Sequence, residues 1–382
     1  MKICDKNTCT GCFACMNSCP KDAINIYKNE FGVTLPKIDE NKCINCGICQ
    51  NICPVNSIPQ FNRADKSYAA FSTNDTESSS GGIAAVMSRH ILNKGGTVYG
   101  AAVVDRKTKH IRVSNFSDLE LLRGSKYVQS QVGLIYREVK IDLINKLPVL
   151  FIGTPCQIAG LNAFLQRHYE NLITVDLICH GTPPHQYLSE HLNGKKWDSY
   201  SFRGKYDFIL TAYNKNKITY QKSCREDLYF DAFLKSLTYR ENCYSCSYAK
   251  PDRVSDLTIG DFWGLDDSAL INQHGNRISV ILPNTPKGQY FFNEFNSNII
   301  WEERSFIEAA NKFQGNLLRP SIPHPDREYF LKLYPKKGFN YAVSKTTIGK
   351  DVKQTKLNRS LIVGAIRKIV AHILKGETID DR

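Results

Sequence analysis

Apolar positions change their period along this chain. Ile83 to Asn93 carries helical spacing, stops at Gly95-Gly96, and gives way to a β-type apolar run from Thr97 to Val104. Helical spacing returns over Leu119 to Leu122 and Val132 to Leu147, Val149 to Ile152 is a short buried strand, and Ile158 to Arg167 is helical again. Leu172 to Ile178 is the next strand, and a further helix opens near His185. Strands alternating with helices predict an α/β domain with a largely parallel sheet. Ser199 to Phe202 and Ile218 to Tyr220, with the polar Asn214 to Lys217 turn between them, predict an inserted antiparallel hairpin. Near the carboxyl end, Leu361, Ile362, Ala365, Ile366, Ile369, Val370 and Ile373 alternate with Arg359, Arg367, Lys368 and Lys375, which predicts a basic amphipathic helix over Leu357 to Leu374.

The first fifty-eight residues are organised by cysteine instead. Cys9, Cys12, Cys15 and Cys19 followed by Pro20 recur thirty-four residues later as Cys43, Cys46, Cys49 and Cys53 followed by Pro54. Asn7 with Asn41 and Ile24 with Ile58 extend the repeat beyond the thiols, as a duplicated half-domain requires. The C-x-x-C-x-x-C-x-x-x-C-P spacing is that of an α+β dicluster ferredoxin domain, in which three cysteines grip one 4Fe-4S cube and the fourth crosses to the other. It assigns Cys9, Cys12, Cys15 and Cys53 to one cluster and Cys43, Cys46, Cys49 and Cys19 to its twin. Zinc ribbons use separated pairs rather than triplets, and a disulfide scaffold has no need of this spacing. With no third copy, the repeat is not a solenoid.

Length and composition then divide the chain of 382 residues. The divisions expected are a ferredoxin unit over 1–58, a linker over 59–67, an α/β body over 68–335 and a basic tail over 336–382. No apolar run approaches the ~18 residues of a membrane span, and no cleavable leader follows Met1. A cytoplasmic location is expected, because a reducing compartment keeps thiols available for metal. The formal net charge of +13 counts cluster thiolates as neutral, and three bound cubes remove about six of those charges. Much of the remaining excess is in the tail, without a nucleic-acid-binding motif beside it, so no nucleic acid is expected as a partner. The terminal helix has three candidate destinations: peripheral contact with the anionic inner face of a membrane, docking on a partner, or packing on the chain's own core.

The body places chemistry at its strand ends. Phe151-Ile152 runs into Gly153-Thr154-Pro155-Cys156-Gln157, and Leu177-Ile178 runs into Cys179-His180-Gly181-Thr182-Pro183. In an open α/β sheet such turns gather at the carboxyl edge, where ligands bind. Cys243 and Cys246 follow Tyr239-Arg240, so Cys156, Cys179, Cys243 and Cys246 can serve a third 4Fe-4S cluster. Two other readings stand beside it, a two-electron thiol pair at Cys243 and Cys246, and small buried core residues at Cys156 and Cys179. Cys4 and Cys224 are assigned no role. Ser80-Gly81-Gly82 at a helix start suits a pyrophosphate or ring edge, or else a plain serine cap. Lys126 and Arg203 are candidates for phosphates or a reduced ring, His180 for tuning a cluster or relaying a proton, and Asp261 for a ribose hydroxyl or a turn cap.

Several motifs together carry a resemblance. Ser78-Ser79-Ser80-Gly81-Gly82, Lys126-Tyr127-Val128-Gln129-Ser130, Gly-Thr-Pro-Cys-Gln, Cys-His-Gly, Phe202-Arg203-Gly204-Lys205, the Cys-x-x-Cys pair and Gly260-Asp261-Phe262-Trp263-Gly264 resemble the beta subunit of coenzyme F-420 hydrogenases and dehydrogenases. The resemblance implies bound FAD, a deazaflavin (coenzyme F-420) as hydride donor or acceptor, and an iron-sulfur cluster in the body. Cofactor contacts are then expected at Ser80, Gly81, Gly82, Lys126, Gly153, Thr154, Gln157, His180, Gly181, Arg203 and Asp261. A flavin also answers a physical need, since cubes pass single electrons whereas such coenzymes deliver hydride. The function expected is an iron-sulfur flavoprotein oxidoreductase that joins a hydride-carrying coenzyme to a one-electron redox partner protein. Two alternatives remain, a reductase acting in surface-polysaccharide biosynthesis and an electron-transfer adaptor subunit without its own substrate.

Overall fold

The computed structural model describes residues 2–74, 78–204, 207–275 and 277–374; the side chains of residue 360 and of 362–374 lie outside that description, as do Lys205 and Lys375. In the amino-terminal unit each cysteine run contains one short helix, Ala14–Ser18 and Ile48–Asn51. A hairpin of β1 (Ile24–Lys28) and β2 (Thr34–Ile38) lies between them, in register from Ile24 opposite Ile38 to Lys28 opposite Thr34. Helices this short do not persist unaided, so packing and ligation must hold them. The duplication extends to the backbone, because the residues before the two helices, Phe13 and Gly47, are both left-handed. Phe13 tolerates that conformation while its ring is almost fully buried.

The body is built on β3 (Lys66–Phe71), β4 (Thr97–Val104), β5 (Lys107–Val113), β6 (Val149–Gly153) and β7 (Leu172–Leu177). A separate antiparallel sheet follows, β8 (Ser199–Arg203), β9 (Phe208–Asn214) and β10 (Lys217–Ser223). The chain then returns through β11 (Leu257–Asp261), β12 (Ser279–Pro283) and β13 (Ile300–Ser305). The large sheet runs β13-β3-β12-β11-β7-β6-β4-β5. Its centre, β4-β6-β7-β11, is parallel, and antiparallel strands flank it on both sides. The expected α/β sheet is present, and so is the antiparallel insertion, but as three strands: β9 lies between the two expected to pair, and the turn at 214–217 joins β9 to β10. Periodicity misses β13, a half-exposed edge strand that alternates only weakly, and also the buried β3 and β12, short apolar runs that it does not separate from helix.

The buried central strands explain the core. In β6, Val149 and Phe151 turn toward helices Ile135–Ile144 and Pro155–Leu165, while Leu150 turns toward Ile83–Asn93 and Pro286–Phe295. A strand covered on both faces reads as continuous apolar sequence, which is why it was legible. A third, aromatic core containing Phe202, Tyr229, Phe230 and Phe339 lies under the small sheet.

The ferredoxin unit is docked, not tethered. Arg137 donates to the Asn17 carbonyl at 2.9 Å and the Met16 carbonyl at 3.2 Å and pairs with Asp22, while Asn17 donates to the Gly133 carbonyl at 2.8 Å. The expected linker is partly built into the body: Asn62 and Arg253 exchange backbone hydrogen bonds of 2.8 and 2.7 Å, and β3 already begins at Lys66. The last helix, Thr347–Leu374, begins ten residues before the expected start. Its first turns pack on the chain's own core through buried Ile348 and Val352, and Arg359 pairs with Glu226. Among the described residues no helix is long and apolar enough to cross a membrane.

Candidate functional site

The twelve cysteines singled out by spacing are gathered into three sets. Cys19, Cys43, Cys46 and Cys49 line one pocket at the surface, where Cys46 is exposed. Cys9, Cys12, Cys15 and Cys53 form an inner set; all four are buried, and the charged neighbours of Cys15 are Cys12, Cys9 and Cys53. Cys156, Cys179, Cys243 and Cys246 line a third pocket in the body. Among the described residues no three His, Cys, Asp or Glu side chains stand close enough to hold a single metal ion. A cube takes one thiolate at each of four irons, so its ligands stand farther apart than those of one ion, and the spread thiols suit that body. Burial pushes Cys12 and Cys156 up to about 12, and pushes Cys246 above its ordinary value. A thiol so disfavoured as an anion is a poor two-electron nucleophile, and a bound iron would supply the charge that deprotonates it.

The inner and third sets share a ruler. Helix Pro155–Leu165 begins with Cys156 one residue inside its start, and Gly160 lies one turn further on. A Cβ at Gly160 would stand 2.7 Å from Cys12 Cβ and 2.9 Å from Cys12 Sγ, so the glycine is the seat on which the inner set rests. Four residues of helix advance ~6 Å, which keeps the two sets close. Tyr136 and Tyr248 lie between them, each with Cys12 and Cys156 among its charged neighbours.

A cavity of about 680 Å³ opens at the carboxyl edge of the parallel strands. Its walls include the strand-end residues Gly153, Thr154, Cys156, Cys179, His180 and Asp261, the Ser78–Ser80 segment, and Thr10 and Gly11 from the inner cysteine loop. The edge assembles because β6, β7 and β11 all point there, and because antiparallel pairing brings Ser279 opposite both Asp261 and Ala70. Ser279 Oγ bonds Ser80 Oγ at 2.9 Å and accepts from Gly81 N at 3.0 Å, holding the serine-glycine segment over the opening. Gly82, at φ 80°, is the helix N-cap, and no side chain caps that terminus. The serine-cap alternative is therefore not what the structure shows. Gly81 lies off the cavity wall; a Cβ there would meet the Ala70 carbonyl at 2.4 Å, so packing on β3 requires it.

The charged groups divide into satisfied and available. Arg203 is bonded to Asp261 and to the Tyr127 hydroxyl at 3.1 Å, and its guanidinium stacks over Phe208 at 3.8 Å. Asp261 thus neutralises Arg203 and caps no helix. Lys126 keeps part of its surface on the cavity, but its ammonium is packed among protein atoms, and burial lowers it to about 7. Its Nζ donates to the Leu122 and Arg123 carbonyls at 2.9 and 2.6 Å. His180 borders both the cavity and the third pocket, and burial holds it below its ordinary value. Thr154 and Gln157 reciprocate in a capping box at the start of helix Pro155–Leu165.

Sequence reasoning missed several groups. His110 of β5 lines the cavity and is lowered to about 4 by burial, so it is neutral at ordinary pH; Gln129 and Ser130, quoted only as part of a motif, line it as well. Cys4 lies half-buried beside the inner set, its thiol donating toward Cys53 and Cys9, which pushes Cys4 itself up. Cys224 sits away from all three sets, near Asp231. Arg240 was read only as a neighbour of Cys243, although its side chain reaches the inner loop. Its place three residues before a candidate ligand was the one available signal.

Comparisons with known proteins agree with this anatomy. Residues 147–308 match the family that comprises the carboxyl-terminal part of the coenzyme F420 hydrogenase/dehydrogenase beta chain, and residues 8–57 match the 4Fe-4S dicluster domain. Among solved structures, the chain is similar to one from the F420-reducing [NiFe] hydrogenase complex of Methanosarcina barkeri. The identity is 17%, the coverage 67% of this chain and 90% of that one, and the TM-score 0.46. No curated protein matches the chain. Residues 147–308 thus match an oxidoreductase family model and residues 8–57 a 4Fe-4S dicluster domain, and together they support an iron-sulfur electron-transfer role.

Proposed function

We propose that the chain is a flavin-dependent iron-sulfur oxidoreductase that moves electrons between a hydride-carrying coenzyme, a deazaflavin of the F-420 type, and a one-electron partner protein. One observation carries this reading: a single cavity of about 680 Å³ is walled by the loop of the inner cysteine set and by Cys156 and Cys179 of the third. The volume is that of a cofactor pocket. FAD bound there supplies the conversion between hydride and single electrons. The Ser79 and Ser80 hydroxyls and the uncapped start of helix Ile83–Asn93 suit a pyrophosphate, with Lys126 adding positive charge below pH ~7. His110 stays neutral between Ser130 and the Ile152 carbonyl, so it orients neighbours and carries no charge toward the cavity.

The three cysteine sets are read as 4Fe-4S sites, ordered by exposure. The surface set with exposed Cys46 faces the partner, the inner set relays, and the third set adjoins the cavity. The free thiols and the need for a reducing compartment support a cytoplasmic location. The apolar face expected to contact a membrane, Ile362 to Ile373, lies outside the described side chains; of those described, Ile348 and Val352 are buried on the body, while Leu357 and Leu361 are exposed.

The test is anaerobic purification with iron, sulfide and flavin analysis, followed by viologen reduction with reduced deazaflavin and, separately, reduced nicotinamide. About twelve irons, one FAD and turnover with the deazaflavin are expected, and Cys46→Ser should remove about four irons while leaving flavin reduction intact. Bound FAD with no turnover from either donor would defeat the coenzyme assignment.

A further inference from the structure

Arg240 sits where the ferredoxin unit, the cavity and the third cysteine pocket meet. Its backbone is fixed by a bond from its N–H to the Thr182 carbonyl and by Cys243 N donating to its own carbonyl, both ahead of the turn that presents Cys243. The side chain is 3% exposed. One arm of the guanidinium donates to the Thr10 carbonyl, the other to the Cys9 carbonyl at 2.9 Å, and Nε is buried without a partner. Among the described residues no carboxylate pairs with it, in contrast to the buried Arg253, which has Asp176. Guanidinium stays protonated in any protein environment, so this is a permanent buried cation that protein carboxylates do not neutralise.

The available anions are the two cysteine sets. The same side chain lines the third pocket with Cys156, Cys179, Cys243 and Cys246, and its guanidinium holds the Cys9 carbonyl of the inner loop. The surface set has only the solvent-exposed Lys21 in its pocket lining and no buried cation. We propose that Arg240 is the shared counter-cation of the inner and third clusters, a positioning residue that makes both easier to reduce than they would be without it. Each reduction adds one electron to an anionic centre, and a nearby fixed cation in a low-dielectric interior favours that added charge. The surface cluster lies outside this influence, so Arg240 biases electrons inward toward the cavity. The inference rests on the reading that both sets hold 4Fe-4S clusters. Iron and spin counts on the unmodified chain test that premise separately: if they fail, the cluster reading fails and not the role of Arg240 alone.

The experiment is a redox titration of the anaerobically purified full chain, followed by paramagnetic resonance, with Arg240→Gln and Arg240→Lys beside the unmodified protein. In Arg240→Gln the reduction equilibrium of the inner and third clusters should fall about tenfold, ~59 mV for one electron, while the signal of the surface cluster stays in place as an internal control. Arg240→Lys keeps the charge and should recover most of the shift. Unmoved potentials in Arg240→Gln with full iron overturn the proposal, as does an equal shift of all three signals. Should Arg240→Gln fail to hold iron, Arg240→Lys decides: near-native potentials support the charge role, and displaced potentials with intact clusters overturn it.

Discussion

Replacing Gly160 by alanine sets two known effects against each other at one atom. In an ordinary helix interior the change stabilises by about 1 kcal/mol, because glycine has the greater backbone entropy to lose. Here the new Cβ would lie 2.7 Å from Cys12 Cβ, 2.9 Å from Cys12 Sγ and 3.0 Å from the Tyr136 hydroxyl. Overpacking of that kind costs about 1–3 kcal/mol, so Gly160→Ala should be neutral to destabilising by ~2 kcal/mol, the reverse of the usual sign. The larger Gly160→Val should do worse. The cost falls on Cys12, so the inner cluster should be the casualty, with iron dropping from about twelve toward about eight per chain in the valine variant. Urea midpoints give the first quantity and iron analysis with paramagnetic resonance the second. An alanine variant that is more stable, with an unchanged inner-cluster signal, would show that Gly160 is no seat.

Two further outcomes follow from buried charge. The folded pKa of Lys126, about 7 against an ordinary 10.5, means that the folded chain binds fewer protons than the unfolded one between those values. Stability should therefore rise with pH across that window, and Lys126→Met should abolish this part of the slope in urea midpoints measured at several pH values. FAD or inorganic pyrophosphate should bind more weakly as pH rises through ~7 in the unmodified chain but not in the variant; parallel pH profiles would remove Lys126 from the anion site. Asp176→Asn leaves Arg253, 1% exposed, without its counter-charge and should cost about 3–5 kcal/mol. Because Arg253 also bonds the Tyr248 and Leu177 carbonyls, near Cys246 and Cys179, iron of the third set should fall with it; an unchanged urea midpoint and full iron count against this.

Much of the site is local in the chain and could be read there. The eight amino-terminal cysteines announce their chemistry through spacing, because three ligands of each cube stand two residues apart in one short run and the fourth stands just before the proline of the other run. β4, β6 and β7 announce themselves as apolar runs because both faces are covered, and the turns after them had to lie at the carboxyl edge. Ser279, Gly160 and Arg240 carry no such mark. Ser279 matters through its register opposite Asp261 and Ala70, Gly160 through the approach of Cys12 from 148 positions earlier, and Arg240 through carbonyls at Cys9 and Thr10. Spacing and periodicity are relations between near neighbours along a strand or helix, whereas close contact and charge compensation exist only once distant segments pack, and folding alone brings those partners together.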